Sequence, residues 1–213
     1  EILKIDDIFL THSHFDHVKD VPLMTDLLVG RRKTPVTVHG PEETMACMDK
    51  DVFNNRLWPD FRVIPTRENP VIKFDTVPVN TPFQCGAYKM TAVPVHHPVY
   101  SVGYIIEGPT GAVAWSGDTG PTEELWKAIN KTPNVKAVFV ELSFPNSLQW
   151  LADISGHLTP KTVMSELQKL DRRGAKIFLY HLKPSVVNEV KKEIAALGLD
   201  FLHICELDES YDL

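Results

Sequence analysis

Apolar and polar positions along the chain change period several times, and those changes outline its elements. A short apolar run at Asp7–Thr11 reads as a buried strand. From Val18 to Val29 the apolar positions recur at helical spacing, with Pro22 near the first turn and Gly30 as a stop. PVTVHG, Pro35–Gly40, predicts a second strand, and a helical stretch begins near Pro41. FRVIP, VIKF, TVPVN, YKMTAVPV and SVGYIIEG then follow one another with Pro, Asn and Gly breaks, the pattern of strands in an antiparallel meander, and AVAWSG adds another strand.

The second half returns to alternation. A helix is expected from about Thr122, a strand at Val135–Val140, a helix from about Pro160 to Arg172, a strand at Lys176–Tyr180 and a helix from about Ser185 to Leu197. Strands interleaved with helices predict an α/β layered domain. With no repeat, low-complexity run or linker, residues 1–213 read as a single domain.

Composition adds little to this beyond exclusions. A hydrophobic content of 43% with 23% charged residues is that of an ordinary globular chain. No segment approaches the ~20 apolar residues of a membrane span, so no membrane partner is expected. The formal net charge of −6 argues against a broad basic face for long nucleic acid. Cys47, Cys85 and Cys205 are scattered and odd in number, which indicates neither a disulfide framework nor a thiolate zinc site and makes a cytoplasmic location the default.

Chemistry concentrates in THSHFDH, where three imidazoles and one carboxylate fall within six residues directly after a strand. His12 and His14, two apart, leave the same face of an extended chain and can converge on one ion. Asp16 and His17, beyond the turn into the next helix, are placed to face a second ion. A catalytic pair of ions needs more donors, and these are expected where later strands end. Asp118 follows AVAWSG and is flanked by Gly117 and Gly120, although a turn or helix-capping aspartate has the same look. His181 ends KIFLY. His96 and His97 end MTAVPV, and because neighbours on an extended chain point to opposite faces only one of them is expected to be a ligand. His39 and His203 read as packing or supporting residues.

HSHFDH matches the HxHxDH signature of the metallo-β-lactamase superfamily, and the chain resembles that superfamily over nearly its whole length. The resemblance implies a four-layer αββα sandwich. It also selects His97 over His96, through HPVYSVGYIIE, and gives Asp118, in WSGDTG, the bridging role. Because superfamily members carry strands ahead of the signature, and only about ten residues precede it here, the first strands of the domain are expected to be absent from the sequence.

VFNNRLWPDF, VELSF and SGHLTP further resemble the class II 3′,5′-cyclic-nucleotide phosphodiesterases, and ELS with GHLTP is also similar to the glutamate and histidine pair of tRNA 3′-processing nucleases. The resemblance implies a dinuclear, metal-dependent phosphoric diester hydrolase acting on a small anionic phosphodiester such as cAMP or cGMP. Two divalent ions, Zn²⁺ with Mn²⁺ or Fe as alternatives, would be held by His12, His14 and His97 on one side, Asp16, His17 and His181 on the other, with Asp118 shared. The activated water between them would attack phosphorus. His157 is the expected proton donor to the leaving oxygen, oriented by Glu141, with Asp16 also placed at the reaction centre. For His157 the competing reading is a loop histidine beside a helix that Thr159 caps. Lys183 and Ser143 read equally as phosphate contacts or as a solvated lysine and a turn serine. A nuclease, or a thioesterase or lactonase on the same core, is the alternative; a non-catalytic scaffold is disfavoured because all seven expected ligands are present. A homodimer is left open.

Overall fold

The computed structural model describes residues 1–171 and 174–212. The chain divides into two compact units, Glu1–Pro78 and Val79–Leu213.

The first unit is built on three parallel strands, β1 (Asp7–Phe9), β2 (Val36–Gly40) and β3 (Ile72–Thr76), in the order β1-β2-β3. Helices α1 (Phe15–Val18) and α2 (Asp20–Leu28) follow β1, and α3 (Glu42–Cys47) follows β2. Val18, Val21, Met24 and Leu28 bury one helical stripe against Val36 and Val38 of β2, with Met45, Met48, Phe53 and Ile72 completing the core. His39 is not a donor in waiting. Its Nδ1 lies 3.0 Å from Asp75 and its Nε2 2.8 Å from Asp7, and its ring stacks on Phe9, so both nitrogens tie β2 to its neighbours.

Two expectations fail in this unit. FRVIP forms no strand: Arg62 reaches back to Asp60 at 2.8 Å and also pairs with Asp49, the Val63 amide donates to the Asp60 carbonyl, and the segment curls into turns. VIKF does become β3, but it pairs parallel to β2 instead of joining an antiparallel meander.

The second unit carries a seven-stranded mixed sheet of β4 (Phe83–Cys85), β5 (Tyr88–Val95), β6 (Ser101–Gly108), β7 (Gly111–Trp115), β8 (Val135–Glu141), β9 (Lys176–Tyr180) and β10 (Leu202–Ile204), ordered β10-β9-β8-β7-β6-β5-β4. TVPVN contributes only one bridge, Val79 to Ala92, whereas β4 and β10 add edge strands that the sequence pattern did not announce. From β7 to β10 the strands run parallel, joined by α4 (Glu124–Lys131), by α5 (Gln149–Ser155) with α6 (Pro160–Leu167), and by α7 (Val187–Leu197). The expected end of α6 at Arg172 lies outside the described residues; the helix they describe stops at Leu167.

Strands buried on both faces carry near-continuous apolar runs, as β8 and β9 do. One face meets Leu125, Trp126 and Ile129 of α4, Val163 of α6, and Val190 and Ile194 of α7. The other carries a stacked row of Trp115, Phe139 and Phe178, with ring centroids 5.2 and 4.7 Å apart.

The directions of the strands decide where chemistry can assemble. β5 and β7 are each antiparallel to β6, so they run the same way as each other, and β8 and β9 run with β7. The carboxyl ends of β5, β7, β8 and β9 therefore share one edge of the sheet, the edge where open α/β sheets bind ligands.

Candidate metal centre

Each unit presents its own set of donors. In the first, Leu10 is pinned by its amide to the His39 carbonyl at 2.8 Å, and the chain then leaves the sheet through His12 to His14 before α1 begins at Phe15. His12 is fully buried, with Nδ1 3.0 Å from the Thr11 hydroxyl. Its ring sits 4.9 Å from that of His14, nearly perpendicular, and 4.2 Å from that of His17. The carboxylate of Asp16 in the first turn of α1 lies 3.7 Å from His17 Nε2. The four residues of the signature are thus gathered within one turn of chain.

In the second unit four of the expected residues lie at or just beyond the end of a strand on the shared edge, and His157 lies between α5 and α6. His97 follows β5, Asp118 follows β7, Glu141 ends β8 and His181 follows β9. Two backbone features make this possible. Gly117, with φ of +64°, turns the chain after β7 so that Asp118 points inward, where it is 2% exposed; with α4 starting at Glu124, Asp118 caps no helix. His181 itself has φ of +69°, a left-handed conformation uncommon outside glycine that clusters at functional sites. The His96 amide donates to the Thr119 hydroxyl and the Gly120 amide to the His96 carbonyl, tying the end of β5 to the loop that carries Asp118. His96 faces solvent while His97 turns inward, as alternation along an extended chain requires.

Ligand atoms of His97, Asp118 and His157 lie within 4.8 Å of one another. His181 Nε2 is 3.5 Å from Asp118 Oδ2. The donor chemistry fits a divalent cation. His97 Nδ1 lies 2.9 Å from the Gly156 carbonyl, an acceptor only, so Nδ1 carries the hydrogen and Nε2 keeps its lone pair. An imidazole held through Nδ1 by a carbonyl, with Nε2 left as the donor atom, is the usual arrangement of a metal ligand.

His157 is 7% exposed, its Nδ1 3.0 Å from Glu141 Oε1. Thr159 does cap α6, through a capping box with Thr162. Glu141 is fully buried. Burial, and then the nearby Asp118 carboxylate, push its carboxyl well above the ordinary range, against donors from Ser143, Leu158 and Thr119 that favour the charged form. Ser143 was the residue whose role sequence hid. It is fully buried and its hydroxyl meets Glu141, His157 and His181 at 3.0, 3.1 and 2.9 Å, which removes it from phosphate binding. The Gly156 carbonyl is likewise invisible in side-chain patterns.

A family model described as a beta-lactamase superfamily domain matches residues 1–182. The chain belongs to the beta-lactamase superfamily. Among curated relatives it is 26% identical over 93% of its length to a probable 3′,5′-cyclic-nucleotide phosphodiesterase of Yersinia pestis, of which it covers 65%. It is 24% identical over 78% of its length to 3′,5′-cyclic-nucleotide phosphodiesterase 1 of Saccharomyces cerevisiae, of which it covers 51%. The chain thus spans between about half and two thirds of the length of these relatives. The crystal structure of unliganded yeast PDE1 superposes with a TM-score of 0.82 at 21% identity, covering 95% of this chain and 67% of that one, which establishes the metallo-β-lactamase fold, with its mixed sheet and flanking helices. Among the described residues no helix is long and apolar enough to cross a membrane.

Proposed function

We propose that the chain is the metal-dependent phosphodiesterase core of a cyclic-nucleotide hydrolase. The observation that carries this is the buried Glu141 and His157 pair at 3.0 Å, set beside His97 and Asp118. A thioester's thiolate departs without a proton, whereas the alkoxide that leaves a phosphodiester needs a donor so placed. The names of the two relatives and the acidic net charge support a small phosphodiester as substrate over long RNA.

In this reading divalent ions would be held by His12, His14, Asp16 and His17 of the first unit and by His97, Asp118 and His181 of the second. Bound ions of this kind supply a water acidic enough to ionise near neutral pH and neutralise charge on the phosphate oxygens. Zinc suits the imidazole-rich set, as manganese and iron do. The chain's own residues do the rest. Glu141 holds the Nδ1–H of His157, which fixes the ring and leaves Nε2 as the atom that passes a proton to the departing oxygen.

The test is hydrolysis of cAMP, cGMP, bis-p-nitrophenyl phosphate, a linear RNA, a thioester and a lactone by the zinc-loaded chain, with and without His157→Ala. The cyclic nucleotides are expected to be cleaved in preference, and His157→Ala to keep the metal while losing roughly 10² or more in turnover. Cleavage of RNA alone, or of the ester panel alone, overturns the reading, and loss of metal in His157→Ala removes its role.

A further inference from the structure

Ser143 lies two residues beyond Glu141 and touches three groups at once. We propose that it is a positioning residue whose single hydroxyl sets the ring tautomer of His181 and adds to the hold that Glu141 has on His157.

A serine hydroxyl has one hydrogen to give and two lone pairs to accept with. In the ionised form of Glu141, Oε2, 3.0 Å from Ser143 Oγ, only accepts, so the one hydrogen goes there. The other carboxylate oxygen, Oε1, is held by the Leu158 amide at 2.9 Å, which fixes the orientation of the carboxylate. Ser143 Oγ is then an acceptor toward His181 Nδ1 at 2.9 Å and His157 Nδ1 at 3.1 Å. Both rings must therefore carry their hydrogen on Nδ1.

For His181 a second contact reaches the same answer independently. Its Nε2 lies 3.3 Å from Lys183 Nζ, and an ammonium only donates, so Nε2 must be the accepting nitrogen. The same Nε2 lies 3.5 Å from Asp118 Oδ2. A lone pair and a carboxylate facing one another call for a cation, and in this structure the lysine supplies the nearby positive charge. The left-handed backbone of His181, φ +69°, aims the ring at Ser143, so strain and hydrogen bond act on one residue.

The two histidines differ in how far they depend on Ser143. His157 Nδ1 is also 3.0 Å from Glu141 Oε1 and keeps its tautomer without the serine. The Nδ1 of His181 meets the Ser143 hydroxyl at 2.9 Å. Loss of the hydroxyl is therefore expected to release His181 and to spare His157, an asymmetry that a general loosening of the fold does not produce. The inference rests on the proposed function only in making His181 a metal ligand.

The experiment reads ring nitrogens directly, by long-range ¹H–¹⁵N correlation on metal-free, histidine-labelled protein at mildly alkaline pH, followed by zinc titration. In the wild type both His157 and His181 are expected to show protonated Nδ1 and bare Nε2. In Ser143→Ala, His181 is expected to populate the Nε2–H form while His157 does not, and zinc affinity to fall by roughly 10- to 100-fold, with Ser143→Thr restoring both. A wild-type His181 protonated on Nε2 overturns the proposal whether or not the variants fold. So does an alanine variant whose His181 signature and zinc affinity are unchanged. No substrate enters these measurements, so a chain that shows the tautomer shift yet leaves cyclic nucleotides intact sinks the proposed activity and keeps the role of Ser143.

Discussion

Glu141→Ala isolates the largest local consequence of the arrangement around β8. The Glu141 carboxylate, fully buried, accepts from the Leu158 amide at 2.9 Å, from the Ser143 hydroxyl at 3.0 Å, from His157 Nδ1 at 3.0 Å and from the Thr119 amide. The serine and the histidine can each turn to another partner, because they also face one another at 3.1 Å. The two amides cannot move, and an orphaned buried donor costs about 1–3 kcal/mol, or about 2–6 kcal/mol for the pair. Against this, alanine removes a carboxylate whose charged form both burial and Asp118 disfavour. A net loss of about 3 kcal/mol is expected, which for a chain of this size lowers Tm by roughly 6–12 °C. Glu141→Gln keeps one carbonyl for the amides and should lose well under half of that.

The same residue gives a pH dependence of definite sign. Its carboxyl is raised in the folded chain, so its contribution to stability is full below the ordinary value of 4.5 and declines as pH rises toward the raised value. In metal-free protein the wild type should therefore lose ground to Glu141→Gln as pH is taken from about 4 to 8. Calorimetry of the chelator-treated wild type and both variants at several pH values measures this. An alanine variant as stable as the wild type, or an advantage of the wild type over glutamine that widens as pH rises, refutes the reasoning.

Gly156→Ala tests the support of His97. At φ +65° a Cβ would lie 2.7 Å from Pro98 Cδ and 3.1 Å from His97 Cα, so a loss of about 1–3 kcal/mol is expected, together with weaker zinc binding as the Gly156 carbonyl leaves His97 Nδ1; denaturant titration and zinc calorimetry read the two effects. Away from the donors, Glu166 on α6 is 3% exposed and accepts from Trp126 Nε1 at 2.7 Å and the Thr122 amide at 3.0 Å. Glu166→Leu should cost about 2–4 kcal/mol by leaving both donors buried and unmet, and guanidinium unfolding that found it neutral would show that α4 and α6 are held by apolar packing alone.

Most of the donors were legible because their residue types are dense or sit where a strand must end. Three imidazoles in six residues have no packing explanation, and apolar runs such as VKAVFV and KIFLY mark buried parallel strands without knowledge of their partners. Pairing direction is a different matter. The period-2 signal of VIKF is the same whether its neighbour runs parallel or antiparallel, so the meander was a guess about topology that β2 overruled. FRVIP failed for a local reason, since the pull of Asp49 and Asp60 on Arg62 outweighs the strand preference of three apolar neighbours. Helix α5 went unseen because its apolar residues face the wrong way: Trp150 and Ile154 are 62% and 69% exposed while Ala152 is buried, so no apolar stripe marks a core side.

What sequence could not supply was the connection among donors once they are gathered. Glu141, Ser143, His157 and His181 arrive from the end of β8, the loop beyond it, the approach to α6 and the end of β9. Their roles follow from hydrogen-bond capacity, which no spacing rule encodes. A buried carboxylate is tolerated where enough fixed donors surround it, and here two are backbone amides that cannot turn away. That rigidity passes outward: the carboxylate claims the one hydrogen of Ser143, the serine oxygen is left to accept from His181, and the Nε2 of His181 is left to face Asp118. A substitution at Glu141 should thus be felt at His181, two hydrogen bonds away, as a change of tautomer. The ring-nitrogen spectrum of Glu141→Gln is the place to see it, because an amide placed to donate to Ser143 would turn the hydroxyl hydrogen toward His181 Nδ1. An unchanged His181 signature in that variant would break the chain of reasoning at its middle link.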